Sequence, residues 1–305
     1  MIDKCVDKLF ESLPNHLKNI TSPIEIDLVL EGGAFNGSYL VGALYFLKKM
    51  EKHKIIEVKR ISGSSIGSFI GLLYFMDSLD LACELYNILI EDLKKHKFLN
   101  IIYLLNNKVK DKIPNDIFCK INNKLFISYT DINKKKKITV SKYKNVNDII
   151  DVIIKSCFLP FVINGNICYK NKYIDGILPY IFPLENHRKL LYLDIMINDK
   201  IFHLMSVKNE KTNFHRIMLG LLDVHFFFIK NQRTSLCSYV NEWSIFDVSR
   251  NIVKKIIEKI IIYTIFFIIF LKKNISPEFK QGKFCKFIRK NIYVFYKSTI
   301  DLYCI

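Results

Sequence analysis

Ser65 lies at the centre of Gly63-Ser64-Ser65-Ile66-Gly67, a G-x-S-x-G pentapeptide. A serine hydroxyl is a weak nucleophile until a neighbouring base takes its proton. Glycines on both sides permit the sharp turn that would expose the hydroxyl. Gly63 and Gly67 are therefore read as a nucleophile elbow. Upstream stands a second glycine-rich turn, Glu31-Gly32-Gly33-Ala34-Phe35-Asn36-Gly37. Backbone N–H groups in such a turn can converge on a developing oxyanion with no side chain in the way. Gly32, Gly33, Ala34 and Gly37 are the candidate oxyanion hole. A phosphate-binding loop is the competing reading, but the spacing is not G-x-G-x-x-G and no P-loop lysine follows Gly37. The two turns together point to serine acyl hydrolysis.

The base is less plain. A Ser-His-Asp triad needs a histidine held in a constrained loop. His16, His53, His96, His187, His203, His215 and His225 have no local context that singles one out. Asp175 differs: it ends an apolar run, precedes Gly176 and lies in a segment poor in charge. A carboxylate there could serve Ser65 directly as base. A turn aspartate ahead of a glycine is the alternative. The eight cysteines are widely spaced with no C-x-x-C pair, and His and Cys never cluster at ligand spacing, so no metal site is expected. Reduced thiols fit an intracellular protein, and the N-terminus lacks the apolar core of a secretory signal peptide.

These residues need elements to position them. Residues 1–22 read as a short helix and lead-in. Ile24 to Leu30 is a strand by its β-branched content, and Ser38 to Met50 a helix with Leu40, Val41, Leu44 and Leu47 on one side. Val58 to Ser62 is a second strand and Ile66 to Met76 a buried helix. Strand, turn, helix, repeated, is the rhythm of a mostly parallel sheet. Residues 78–123 read as helical. Leu125 to Thr130 and Ile138 to Ser141 are strands joined by a turn that carries Lys134 to Lys137. Val146 to Ser156 is a helix, Ile163 to Tyr169 a hairpin, Tyr173 to Asp175 the end of a strand and Leu190 to Ile197 a buried strand.

The 305 residues fit one large α/β domain or a domain with an appendage. Half are hydrophobic, enough for a sizeable core. Lys and Arg number 46 against 29 Asp and Glu, a formal charge of +17. Residues 251–305 hold eleven basic and three acidic residues, a net +8 that leaves +9 for the rest. This excess suits an anionic lipid surface; a general bias toward lysine explains it equally well. Nucleic acid is not an expected partner, because the aromatic residues sit in apolar runs rather than among the lysines. Ile260 to Leu271 is an uncharged run of twelve, short of the roughly 20 residues a spanning helix needs. A core helix, an interfacial anchor and a short span all remain open.

The three motifs, in this order, resemble the patatin-like phospholipases. That family pairs a G-G-G-x-R/K-G loop with a G-x-S-x-G serine and a D-G-G/A aspartate; here they stand as Gly32 to Gly37, Gly63 to Gly67 and Asp175-Gly176-Ile177. Ser156-Cys157-Phe158-Leu159-Pro160 resembles the family's A-S-x-x-x-P helix end, and Pro183 stands where the family often has a proline. Coverage runs from about Ile26 to Ile197. The resemblance implies a three-layer α/β/α patatin-like fold with a mostly parallel central sheet; the composition adds a basic C-terminal extension that contains the apolar run and that the resemblance does not reach. The expected limits are a lead-in at 1–22, a catalytic domain at 23–200 and a helical, basic, membrane-associated region at 201–305. The resemblance also implies a Ser65–Asp175 dyad, phospholipids or other acyl lipids as substrates, and no metal or organic cofactor. The basic tail and the apolar run fit action at a membrane surface, and the thiols and N-terminus fit a location inside the cell. Three positions depart from the pattern. Asn36 replaces the loop Arg or Lys and removes that cation, Ile177 adds bulk after Asp-Gly, and Ile181 replaces a frequent Asn. They bear on turnover more than on fold, and they support an alternative in which the chain binds lipid without turning it over.

Overall fold

The computed structural model describes residues 1–196, 204, 206–208, 210 and 212–274, with positions 291, 294 and 298. Its strands are β1 (Ile24–Leu30), β2 (Ile56–Ser64), β3 (Leu125–Asp131), β4 (Lys136–Val140), β5 (Tyr173–Asp175), β6 (Lys189–Leu193) and β7 (Cys237–Tyr239). The helices are α1 (Ile2–Glu11), α2 (Asn15–Lys18), α3 (Gly37–Lys52), α4 (Ile66–Phe75), α5 (Asp80–His96), α6 (Ile101–Leu104), α7 (Ile117–Ile121), α8 (Val146–Ser156), α9 (Phe214–Lys230) and α10 (Ile245–Asn274).

The strands form one seven-stranded sheet in the order β4-β3-β2-β1-β6-β7, with β5 beside β3. The four central strands run parallel; β4, β5 and β7 are antiparallel additions. The alternation of β1 separates two cores. Ile26, Leu28 and Leu30 join the main one with residues of α3, α4, α8 and α9, whereas Val29 turns to the other face with Phe182, Leu190 and Tyr192. This mostly parallel sheet flanked by helices is the α/β architecture expected. The core runs on past residue 200: Met218 and Leu221 of α9 pack into it, and β7 pairs with β6.

Strand order reverses at β1, which has β2 on one side and β6 on the other. In open α/β sheets the crevice outside the strand ends at such a reversal is where ligands bind. The glycine loop leaves β1 there.

Three sequence expectations change. Ile163 to Tyr169 is not a hairpin: Asn164 and Gly165 do form a tight turn with positive φ, but the segments flanking it pair elsewhere, Ile163 with Leu99 and Tyr169 with Tyr173. Lys136 and Lys137 belong to β4 rather than to a turn. The strand expected over Leu190 to Ile197 ends at Leu193, and Ile197 lies outside the described residues. So do most of the tail's basic residues, Lys280, Lys283, Lys286, Arg289, Lys290 and Lys297. The apolar run Ile260 to Leu271 is the distal half of α10. Ile262 and Ile265 bury against Ile132 and Ile174, and among the described residues no helix is long and apolar enough to cross a membrane.

Candidate active site

Ser65 stands between β2 and α4 with φ 50° and ψ −130°. An L-residue is rarely held there, and such strain persists only where the surroundings impose it. They do so through close packing. A Cβ on Gly63 would lie 2.6 Å from the Gly67 carbonyl, and one on Gly67 would lie 2.5 Å from the Leu30 oxygen. The Ser65 N–H donates to Ser156 Oγ at 2.9 Å, and that hydroxyl donates to the Ser128 carbonyl at 2.7 Å. Ser68 Oγ donates to the Ser65 carbonyl at 2.6 Å.

The glycine loop closes over the elbow. A Cβ on Gly32 would stand 2.9 Å from Ser65 Cβ and 3.2 Å from the Ile177 oxygen, so three chain segments meet at this point. A side chain on Gly33 would strike Ile195, and one on Gly37 would strike Ile66. Among the described residues the N–H groups of Gly32, Gly33 and Ala34 donate to no carbonyl. They are the donors an oxyanion would need. Ala34 has φ 43° and Ile177 φ 53°. Ala34 stands at the third glycine of the family loop, a further departure, and Ile177 where the family has Gly or Ala; both take the left-handed backbone that glycine adopts without cost.

Asp175 ends β5 opposite Tyr129 and is 2% exposed. Its Oδ1 accepts the Ile177 N–H at 2.6 Å. Its Oδ2 is buried without a hydrogen bond among the described residues. Burial pushes the carboxyl pKa up to about 6, while the Ser65 hydroxyl, the Ile177 N–H and Lys137 pull it down and Glu258 pushes it up. Ser65 is thus near enough to favour the carboxylate, yet the pair does not close a hydrogen bond of ordinary geometry. Such contacts often tighten only when substrate binds.

An apolar pocket lies against Ser65. It encloses about 840 Å³ of atom-free space, part of it open to solvent, between Phe35, Val41, Phe69, Leu85, Leu89 and Leu104.

Asn36 is fully buried; its Nδ2 donates to the Ile195 carbonyl at 3.0 Å. Its Oδ1 accepts from Arg216 Nη1 at 2.6 Å. Arg216, 1% exposed on α9, also pairs with Glu210 at 2.6 Å. A guanidinium from α9 therefore lies against the Asn36 amide, where Glu210 balances its charge.

The structure brings Ser65, Asp175, Gly32, Gly33, Ala34, Gly37, Gly63 and Gly67 to one place. Sequence reasoning missed Lys137, Arg216, Lys254 and Glu258 around it. Lys137 was hidden in a lysine run, and the other three lie beyond the motifs with no local pattern. Ser156 carried a signal as part of a helix-end motif, but its bond to the elbow did not.

The sequence model of the patatin-like phospholipases matches residues 28–185, more than half of the chain. The mouse 1-acylglycerol-3-phosphate O-acyltransferase Pnpla3 is 24% identical over 209 residues, 65% of this chain and 49% of that protein. The human protein of the same description is 24% identical over 182 residues, 57% of this chain and 34% of that protein. A mouse omega-hydroxyceramide transacylase is 26% identical over 156 residues, 48% of this chain and 26% of that protein. The chain thus spans half or less of the length of these relatives. With the matched segment covering both glycine turns and Asp175, the chain belongs to the patatin-like phospholipase family.

Proposed function

We propose that the protein is a lipid acyl hydrolase in which Ser65 is the nucleophile and Asp175 the base. The observation that carries this reading is a buried carboxyl with a pKa near 6 beside a strained serine at the wall of an apolar pocket. A base is most useful when its pKa lies near the working pH. The acyl chain of a lipid ester occupies the pocket, with its carbonyl oxygen toward the N–H groups of Gly33 and Ala34. Ser65 Oγ attacks the carbonyl carbon as its proton passes to Asp175. The tetrahedral intermediate collapses, the C–O bond to the alcohol breaks, and the leaving oxygen takes the proton from Asp175. Asp175 then deprotonates a water, which attacks the acyl-enzyme; the Ser65 ester bond breaks as Asp175 returns that proton to Ser65 Oγ, and the fatty acid leaves.

The named activities of the relatives favour a second outcome of the same intermediate, transfer of the acyl group to an acceptor alcohol in place of water. Incubation of a radiolabelled acyl donor with and without 1-acylglycerol-3-phosphate separates the two by product.

A lipid surface is the proposed partner. The outward side of α10 exposes Ile252, Val253, Ile256, Ile257, Ile260, Tyr263, Phe267 and Phe270, with the exposed Lys255 and Lys259 at its margin. An apolar face of this extent marks an interaction site, and added lysines favour an anionic leaflet.

A fluorophosphonate probe tests the catalytic reading. It should label the wild type and leave Ser65→Ala unlabelled. A folded wild type that resists the probe would leave a lipid-binding protein and no serine hydrolase.

A further inference from the structure

Helix α10 touches the site from the face of the sheet opposite the main core. Lys254 and Glu258 are one turn apart on its inward side, and they reach different halves of the site. Lys254 Nζ donates to Glu31 Oε1 at 2.6 Å and lies 3.1 Å from both Asp194 oxygens. Glu31 is the residue before Gly32 and is 1% exposed. Burial and the neighbouring Asp194 hold its carboxyl well above the usual carboxylate range, while Lys254 works in the opposite direction. Glu258, itself buried, accepts the Leu178 N–H at 3.2 Å and pairs with Lys137 Nζ at 2.5 Å. Lys137 in turn donates to the Leu178 carbonyl at 2.9 Å.

Both main-chain polar groups of Leu178, three residues after Asp175, are therefore tied to one ion pair. The turn that carries Asp175 hangs on Lys137 from β4 and Glu258 from α10. The inward side of α10 is charged here and its outward side is apolar, the reverse of an ordinary surface helix. A buried pair of this kind stabilises little by itself; what this one does is hold the Leu178 backbone on both its polar groups.

We propose that Lys137 is a positioning residue for Asp175: clamped by Glu258, it fixes the 175–178 turn and keeps a cation beside the carboxyl, which makes α10 a working wall of the active site. The inference rests on Asp175 being the base of the proposed reaction. The groups that face Asp175 are few. Lys137 lowers its proton affinity and Glu258 raises it, with Lys137 the larger of the two. The Cys157 thiol at the end of α8 also senses the Asp175 charge. Lys255 of α10 acts on Lys137, whose own proton affinity burial lowers, with Glu258 and Asp175 opposing that fall without cancelling it.

The test uses the full chain and two readouts. The first is the protonated-carboxyl infrared band of Asp175, identified by its loss in Asp175→Asn and followed against pH. The second is the pH profile of ester hydrolysis. Lys137→Met should move the Asp175 midpoint upward, and the rate lost near pH 6 should return at higher pH. A rise of about one pH unit cuts the ionised fraction at the original midpoint roughly fivefold. Lys137→Arg, which keeps the cation, should restore the wild-type midpoint. Lys137→Met leaves Glu258 buried without its partner, so Lys137→Met/Glu258→Gln is the variant that strands no charge; its midpoint should also rise. A folded Lys137→Met or double variant with an unmoved midpoint overturns the proposal. The infrared readout needs no turnover. A wild type without esterase activity therefore defeats the catalytic reading, while the midpoint still decides the role of Lys137.

Discussion

The Ser156 hydroxyl holds the Ser65 N–H at 2.9 Å and donates to the Ser128 carbonyl at 2.7 Å. One buried side chain thereby ties the elbow to β3. Ser65 is the residue whose backbone is strained, and a strained conformation survives only when its surroundings over-determine it. Ser156→Ala removes the acceptor and leaves the Ser65 N–H buried and unpaired, a loss of about 1–3 kcal/mol. Urea unfolding should record that loss. Hydrolysis should fall in kcat more than in KM, because the pocket that binds the chain is untouched. An unchanged kcat in a destabilised protein would reduce Ser156 to a packing residue.

Asp175→Asn should suppress ester hydrolysis by at least about 10²-fold, the lower range for loss of a general base. The same substitution should stabilise the fold at neutral pH. The folded carboxyl has its pKa pushed up to about 6 against 3.8 as the ordinary value. Between those two pH values the folded chain holds a proton that the unfolded chain has released. Stability therefore falls as pH rises through this window, by about 3 kcal/mol in all, and is flat above it. Asparagine carries no charge to bury. Thermal melts should show Asp175→Asn ahead of the wild type at pH 8 and level with it near pH 4. Parallel curves at both values would mean that Asp175 is not held in this way.

The sequence carried the fold further than the site. β1 and α8 stand where their β-branched and helical patterns put them, because each is a local pattern buried along its length. The expected hairpin at Ile163 to Tyr169 failed because its two sides found partners outside the segment, Leu99 for Ile163 and Tyr173 for Tyr169, which no local pattern announces. Within the site, the two glycine turns and Asp175 were legible because tight turns demand particular residues at short spacing. Lys137, Arg216 and Glu258 were not. Each acts across a sheet or from a separate helix, and a lysine in a lysine run looks the same whether it faces water or a buried glutamate. The Asn36 departure shows the limit most directly. As a lone substitution it removes a cation from the loop, and only the packing of α9 shows that the asparagine accepts a hydrogen bond from the buried Arg216.

The pocket beside Ser65 should set chain-length preference. Leu89 lines it from α5 and is only partly buried, so a larger side chain can enter without disrupting the main core. Leu89→Trp should reduce kcat/KM for long-chain p-nitrophenyl esters about tenfold relative to the butyryl ester, equivalent to about 1.4 kcal/mol of chain contacts. Short chains that do not reach Leu89 should be cleaved at the wild-type rate. An unchanged chain-length profile would show that the acyl group lies elsewhere.

The outward face of α10 should govern lipid docking. Phe267 and Phe270 are exposed on its distal part, away from Lys254 and Glu258 on the inward side, so replacing them leaves the site's ion pairs in place. Full burial of one such ring is worth roughly 1.5–3 kcal/mol. Partial insertion of two should still contribute enough that Phe267→Ser/Phe270→Ser binds phosphatidylserine–phosphatidylcholine vesicles at least about tenfold more weakly in flotation. The binding that remains depends on lysines, each worth about 1 kcal/mol near an anionic surface, and should therefore collapse in high salt. Hydrolysis of a soluble short-chain ester should persist in the same variant, which separates loss of docking from loss of chemistry. Vesicle binding at the wild-type level would remove this face as the lipid contact.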